Sequence, residues 1–218
     1  MTEDSTLSAE REAVAALGRQ LLESGLTKGS GGNVSVRSSD RVAVSPSGIP
    51  YEDVTPGTVP VVDLEGTVLE GELEPSNETP MHTMIYGERP EIGGIVHTHS
   101  PYASTFASLG EPIPASHYLI AYAGREVPVA GYEPPGTEAL GELAVEALGT
   151  DHNACLLQNH GVIAVGEDGE DAMEVAEMVE FVARIHYQAS AIGEPIVMHD
   201  DELDSLVDMF RSYREKSV

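Results

Sequence analysis

His97 and His99 stand two residues apart at the end of a strand predicted over residues 92–97. Side chains at i and i+2 of a strand point to one face, about 6–7 Å apart at the backbone. Two imidazoles so placed can converge on one ion. Zn²⁺ takes histidine nitrogen at about 2.0–2.1 Å and uses three or four protein ligands. A third ligand must come from elsewhere in the chain. His160 is the best placed, because Gln158-Asn159-His160-Gly161 joins two predicted strands and the glycine leaves room beside the ring. Glu78, at the start of a predicted helix, is a candidate fourth. An isolated His-x-His is more often a pair of satisfied or surface histidines than a pair of ligands. His82, His152, His186 and His199 show no partner pattern and read as residues of helix faces and loops. His186 lies on the apolar side of its helix, where a hydrogen-bonded core role is expected.

Three loops have the composition to bind an anion. Gly29-Ser30-Gly31-Gly32-Asn33 offers backbone N–H groups and short polar side chains without bulk, the chemistry of an anion nest. Ser45-Pro46-Ser47-Gly48 and Pro75-Ser76-Asn77 offer the same. The second of these sits at a helix N-terminus, where the helix dipole favours negative charge. Each alone is more often a plain turn.

Such local donors matter because the chain is strongly acidic. Its 218 residues carry 11 Lys+Arg against 37 Asp+Glu, a formal net charge of −26. That surface repels phosphate backbones and anionic headgroups, so neither nucleic acid nor a membrane surface is an expected partner. The acids are spread along helices and loops, as in a salt-adapted cytoplasmic protein of a halophile; a merely acidic protein is the alternative. No apolar run approaches the ~20 residues of a membrane span. The acidic start Met1-Thr2-Glu3-Asp4 is unlike a signal peptide. A single cysteine, Cys155, excludes an intrachain disulfide framework and fits a reducing cytoplasm.

The elements that must position these residues follow from periodicity. Helices are predicted over 7–24, 77–88, 101–109, 136–148, 168–192 and 201–214. Asn77 or Ser76 is the expected cap of the second, and Pro80 is tolerated in its first turn. Hairpins are predicted over 34–44 and 59–69, a short strand over 126–129, and paired strands over 154–157 and 162–165. No linker or repeat interrupts the pattern. The expectation is a single α/β domain over 1–218 with a mostly antiparallel sheet.

Taken together, the motifs resemble the class II, zinc-dependent aldolase family, which includes fuculose-phosphate aldolases and ribulose-phosphate 4-epimerases. The matching pieces are Gly32-Asn33-Val34-Ser35-Val36-Arg37, Ser45-Pro46-Ser47-Gly48-Ile49-Pro50-Tyr51, and Pro75-Ser76-Asn77-Glu78 with His82 four residues on. Val96-His97-Thr98-His99, Ile113-Pro114-Ala115-Ser116-His117-Tyr118 and Leu157-Gln158-Asn159-His160-Gly161 complete the set, in the family's order. The resemblance implies a three-layer α/β/α domain with a mostly antiparallel central sheet, and a homotetramer with its sites at subunit interfaces. It implies Zn²⁺, one per subunit, held by His97, His99 and His160, with Glu78 as a ligand in the resting site. It assigns the substrate phosphate to Ser30, Asn33, Ser47, Gly48, Ser76 and Asn77. Asn77 replaces the usual second serine of the aldolases, and Pro135 replaces a phenylalanine before Gly-Thr. Tyr118 matches a proton-donating tyrosine, and Tyr213 a C-terminal tyrosine near the site.

The implied activity is reversible cleavage of a ketose 1-phosphate, L-fuculose 1-phosphate or ribulose 1-phosphate, to dihydroxyacetone phosphate and a short aldehyde. Metal acts as Lewis acid on the enediolate, Glu78 as general base and Tyr118 as general acid on the aldehyde side. The 4-epimerases carry aspartate where this chain has Glu78, which favours an aldolase. A methylthioribulose-phosphate dehydratase-like lyase and a non-catalytic scaffold of adducin type are the alternatives.

Overall fold

The computed structural model describes residues 7–214, and side chains as far as residue 210. Helix α1 (Ser8–Glu23) precedes the hairpin β1 (Asn33–Ser38) and β2 (Arg41–Val44). A second hairpin, β3 (Val61–Asp63) and β4 (Val68–Glu70), leads to α2 (Thr79–Glu88). Then come β5 (Gly94–Thr98), α3 (Pro101–Leu109), β6 (Val129–Ala130) and α4 (Glu138–Leu148). The chain finishes with β7 (Ala154–Leu157), β8 (Gly161–Gly166), α5 (Gly169–Ile192) and α6 (Asp200–Arg214). Short 3₁₀ turns occupy Pro56–Thr58 and Tyr118–Tyr122.

The strands form one eight-stranded sheet in the order β4-β3-β2-β1-β5-β8-β7-β6. Six pairings are antiparallel, but β6 runs parallel to β7, so the sheet is mixed where the sequence leads one to expect a mostly antiparallel one. The cause is connectivity. β6 reaches β7 through α4, and a strand–helix–strand crossover sets two strands parallel. Two residues of β6 are too few to announce this in the sequence.

Alternation along the strands divides the apolar residues between two cores. Val34, Val96, Val162 and Ala164 pack with Leu17 and Leu21 of α1, Phe106 of α3 and Val175, Val179 and Val182 of α5. Ile95, Ile163 and Val165 pack instead with Met81 and Ile85 of α2 and Leu140 and Ala144 of α4. Each fully buried Val or Leu contributes roughly 1.5–3 kcal/mol. The same alternation places Asn33, Ser35 and His97 on the face that meets α2.

α2 begins differently from expectation. Its N-cap is Glu78, and no side chain caps it. Pro80 does lie in its first turn. Ser76 instead braces the approach: its hydroxyl accepts from the Glu78 N–H at 3.2 Å and its carbonyl from the Thr79 N–H at 3.0 Å. Both bonds fix Glu78 at the head of the helix. No helix among the described residues is long and apolar enough to cross a membrane.

Candidate metal centre and active site

Three strand ends bring the site together. His97 lies within β5, His99 one residue past its end, and His160 in the β7–β8 turn. β5 and β8 are hydrogen-bonded neighbours with Thr98 opposite Val162, so residues far apart in sequence become adjacent in space. The turn is tight. Asn159 adopts φ 55°, a left-handed conformation that asparagine tolerates better than most residues. A Cβ on Gly161 would lie 2.2 Å from the Thr98 carbonyl oxygen and 3.2 Å from His97 Cε1. Only glycine allows this approach. Gly32, with φ +69°, plays the same part opposite the His97 carbonyl.

The imidazoles converge on Glu78. His97 Nε2 lies 3.1 Å from His99 Nε2 and 3.2 Å from Glu78 Oε2. His160 Nε2 lies 3.5 Å from Glu78 Oε1. Ligand atoms of the three histidines all fall within 4.8 Å of one another. His97 Nδ1 is 2.8 Å from the Val162 carbonyl oxygen. A carbonyl only accepts, so Nδ1 carries the hydrogen and Nε2 presents its lone pair to the cluster.

Burial decides the charge states. It drives the His97 pKa down to about 3, and Glu78 opposes this without reversing it. His99 is also lowered, first by burial and then by His160. Burial works against ionisation of Glu78, but the facing His97 and His160 imidazoles and the Asn33 amide hold its pKa below the ordinary carboxylate value. The result is neutral His97 and His99 imidazoles beside one carboxylate.

That donor set fits a divalent cation. At bonds of about 2.0–2.1 Å, tetrahedral ligand atoms sit roughly 3.3–3.4 Å apart. The separations of 3.1, 3.2 and 3.5 Å straddle that figure. Glu78 Oε1 is buried and has no hydrogen-bond donor among the described residues. Imidazole nitrogens brought this close to one another and to a carboxylate are suited to sharing one positive centre.

The anion loops are only partly assembled around this centre. Ser47 N–H donates to the Glu74 carbonyl at 2.9 Å and Ser76 N–H to the Ser45 carbonyl at 3.0 Å, which zips two loops together. Ser47, Ser76 and Asn77 then line one cleft. Ser47, Gly48 and Asn77 are exposed, whereas Ser76 is buried. Ser30 is exposed on a separate loop, whose next residue, Gly31, lies against His99. Asn33 is buried and its Nδ2 donates to Glu78 Oε2 at 2.8 Å. Tyr118 is 48% exposed, packs on His117 and stacks on Phe210 of α6. Tyr213 lies outside the residues whose side chains are described.

Sequence reasoning overlooked a buried group beside the centre. His82 reads as partnerless in the sequence, yet its Nδ1 is 2.7 Å from Ser35 Oγ, which in turn is 2.9 Å from the Tyr86 hydroxyl. The signal was the i, i+4, i+8 spacing of Glu78, His82 and Tyr86 on one predicted helix. His186 makes the expected hydrogen bond, to Ser116 Oγ at 2.9 Å, but is half-buried rather than in the core.

Comparison with known proteins places the chain in a family. The chain belongs to the Class II Aldolase and Adducin N-terminal domain family, which matches residues 12–187. It is 46% identical over 212 residues to a 5-deoxy-D-ribulose 1-phosphate aldolase of Bacillus thuringiensis, covering 96% of this chain and 99% of that one. An L-fuculose phosphate aldolase of Escherichia coli K12 is 37% identical over 206 residues, covering 90% and 95%. A solved L-fuculose 1-phosphate aldolase superposes with a TM-score of 0.91 at 39% identity, covering 93% of this chain and 96% of that one.

Proposed function

We propose that this chain is a metal-dependent aldolase. It reversibly cleaves a ketose 1-phosphate, of the size of L-fuculose, ribulose or 5-deoxyribulose 1-phosphate, to dihydroxyacetone phosphate and a short aldehyde. The observation that carries the reading is the meeting of His97, His99 and His160 with Glu78 at metal-ligand separations. The relatives named for aldolase activity span nearly the whole chain, which supports it.

In this reading His97, His99 and His160 hold the metal, zinc in the first instance, and Glu78 completes the resting site. When bound, such a cation supplies Lewis acidity that stabilises negative charge on substrate oxygen. Glu78 leaves the imidazoles as substrate enters and carries a proton at the substrate carbon. Ser47, Gly48, Ser76 and Asn77, on the two zipped loops, bind the phosphate with Ser30. Asn33 orients the Glu78 carboxylate as well as reaching the phosphate. Tyr118 protonates the aldehyde-side oxygen, and Tyr213 closes the site from α6. An exposed Tyr118, packed on His117 and Phe210, suits a homotetramer whose sites are completed between subunits. We read residues 1–218 as one three-layer α/β/α unit, working in the cytoplasm of a salt-adapted cell.

Incubation of metal-analysed protein with a panel of ketose 1-phosphates tests the proposal. Metal-dependent formation of dihydroxyacetone phosphate is expected. Loss of water instead would identify a dehydratase. No metal and no metal-dependent turnover would leave the scaffold reading.

A further inference from the structure

Two consecutive carbonyls of the glycine-rich loop are held by buried hydroxyls. Thr27 Oγ1 donates to the Gly31 carbonyl at 2.7 Å, and the Tyr51 hydroxyl donates to the Gly32 carbonyl at 3.1 Å. A carbonyl oxygen only accepts, so the direction of both bonds is fixed. Thr27 is 5% exposed and Tyr51 2%. Burial pushes the Tyr51 pKa up to about 12, so the phenol keeps its proton. Valine and phenylalanine would fill these two places with no polar group to satisfy. What the hydroxyls add is a grip on the loop.

That grip orients peptides. A trans peptide points its C=O and the following N–H in opposite directions. No peptide among the described residues is cis. Holding the Gly32 carbonyl at Tyr51 leaves the Asn33 N–H on the opposite side, where β1 pairs with β5 and Asn33 faces His97. Holding the Gly31 carbonyl at Thr27 turns the Gly32 N–H away from that buried hydroxyl. The Gly31 N–H is used by the Lys28 carbonyl at 3.1 Å, whereas the Gly32 N–H bonds nothing among the described residues. Tyr51 thus leads the loop into the sheet, and Thr27 leaves a donor presented.

Thr27 is also registered to the imidazole cluster. The carbonyl of Leu26, the residue before it, accepts from the His99 N–H at 3.1 Å. A Cβ on Gly31 would lie 2.9 Å from Thr27 Oγ1 and 3.1 Å from His99 Nδ1, so the peptide that Thr27 holds passes beside this ring. A peptide free to rotate would offer a phosphate its carbonyl oxygen as readily as its N–H, in a chain whose net charge of −26 already repels the anion. We propose that Thr27 is a positioning residue for the substrate phosphate: its hydroxyl locks the Gly31–Gly32 peptide with the N–H turned out, so that the loop meets the anion already shaped. This rests on the reading of the loop as part of the phosphate site.

Two variants and one spectrum test it. Thr27→Val removes the hydroxyl and keeps the branched shape, whereas Thr27→Ser keeps the hydroxyl. In zinc-loaded Thr27→Val, the calorimetric Kd for inorganic phosphate and the KM for a ketose 1-phosphate should both rise about 3- to 10-fold, the worth of one hydrogen bond. Its kcat and zinc content should stay at the wild-type level, and Thr27→Ser should restore the affinity. Unchanged phosphate affinity in Thr27→Val overturns the proposal. So does a loss of kcat and zinc along with affinity, which would mark a merely structural residue, or a failure of serine to restore binding. The unaltered zinc-loaded protein supplies a test that needs no variant to fold. Inorganic phosphate should shift the Gly32 amide in the ¹H–¹⁵N spectrum, and that amide should hold one orientation before phosphate is added. If phosphate moves the Ser47, Gly48 and Asn77 amides but not that of Gly32, the role of Thr27 fails alone. If it moves none of them, the phosphate reading of the loops fails with it.

Discussion

Asn33 Nδ2 donates to Glu78 Oε2 at 2.8 Å inside the protein, so the asparagine of the glycine-rich loop serves the carboxylate before any phosphate. Asn33 Oδ1 is also buried and without a hydrogen-bond donor among the described residues. The bond runs from β1 to the head of α2 and fixes where Glu78 meets the histidines. Asn33→Ala should therefore lower kcat, about 10- to 100-fold for a hydrogen bond to a charged group. Steady-state kinetics distinguish the roles. A rise in KM alone, with kcat intact, would return Asn33 to a purely phosphate-binding part.

Glu78→Gln keeps the shape and both hydrogen-bonding atoms but removes the basic oxygen. Loss of a general base typically slows turnover about 10²–10⁴-fold. Calorimetric binding of inorganic phosphate should survive, because Ser47 and Ser76 are held by backbone bonds that do not involve Glu78. Loss of phosphate binding along with activity would show that Glu78 organises the loops rather than the chemistry.

Gly161→Ala tests the geometry of the centre without touching a ligand. The added methyl would meet backbone oxygen at 2.2 Å, an approach that cannot be relieved by rotating a side chain. The β8 end must shift, and with it the neighbouring His160. Metal analysis after equilibration with Zn²⁺ should show sharply reduced occupancy, and activity should fall in proportion. Full occupancy with wild-type activity would mean that the hairpin end is softer than its register with Thr98 implies.

His82 supplies a pH dependence of stability. Its pKa is lowered from 6.5 to about 4 by burial, so between those values the unfolded chain binds a proton that the folded chain refuses. Stability contributed by this group is complete above about pH 6.5 and is lost as pH falls towards 4, by on the order of 3 kcal/mol. Denaturant unfolding of metal-free protein across that window should show it. His82→Gln should flatten part of the slope. An identical slope in the variant would place the acid sensitivity elsewhere.

The legible parts of this protein are those with a local pattern. The α5 stripe of Ala172, Val175, Ala176, Val179, Val182 and Ala183 is buried as its helical spacing demands. The His97–His99 pair converges because strand alternation requires it. Residues joined only through the sheet were harder to read. Nothing near Ser35 announces His82, because their contact depends on which face of β1 meets α2. The Glu78 cap was obscured for a similar reason: Ser76 and Asn77 look like better caps, but Ser76 is engaged in bracing the loop against Ser45.

Net charge supplies the last prediction. With 37 acids against 11 bases, the folded surface repels itself, and the unfolded chain, being larger, repels itself less. Salt acts on that difference. The Debye length falls from about 10 Å at 0.1 M to about 3 Å at 1 M, a change that silences repulsion between neighbouring surface carboxylates. Exposed Glu170 and Glu174 lie with half-buried Glu177 along one side of the groove between α1 and α5, where their like charges crowd together. The exposed Arg125–Asp204 pair, which ties α6 to the body, is of the class worth about 0–1 kcal/mol. The melting temperature should therefore climb steadily from low to molar KCl. A transition that stays put across the series would show that the acidic surface is not an adaptation to salt.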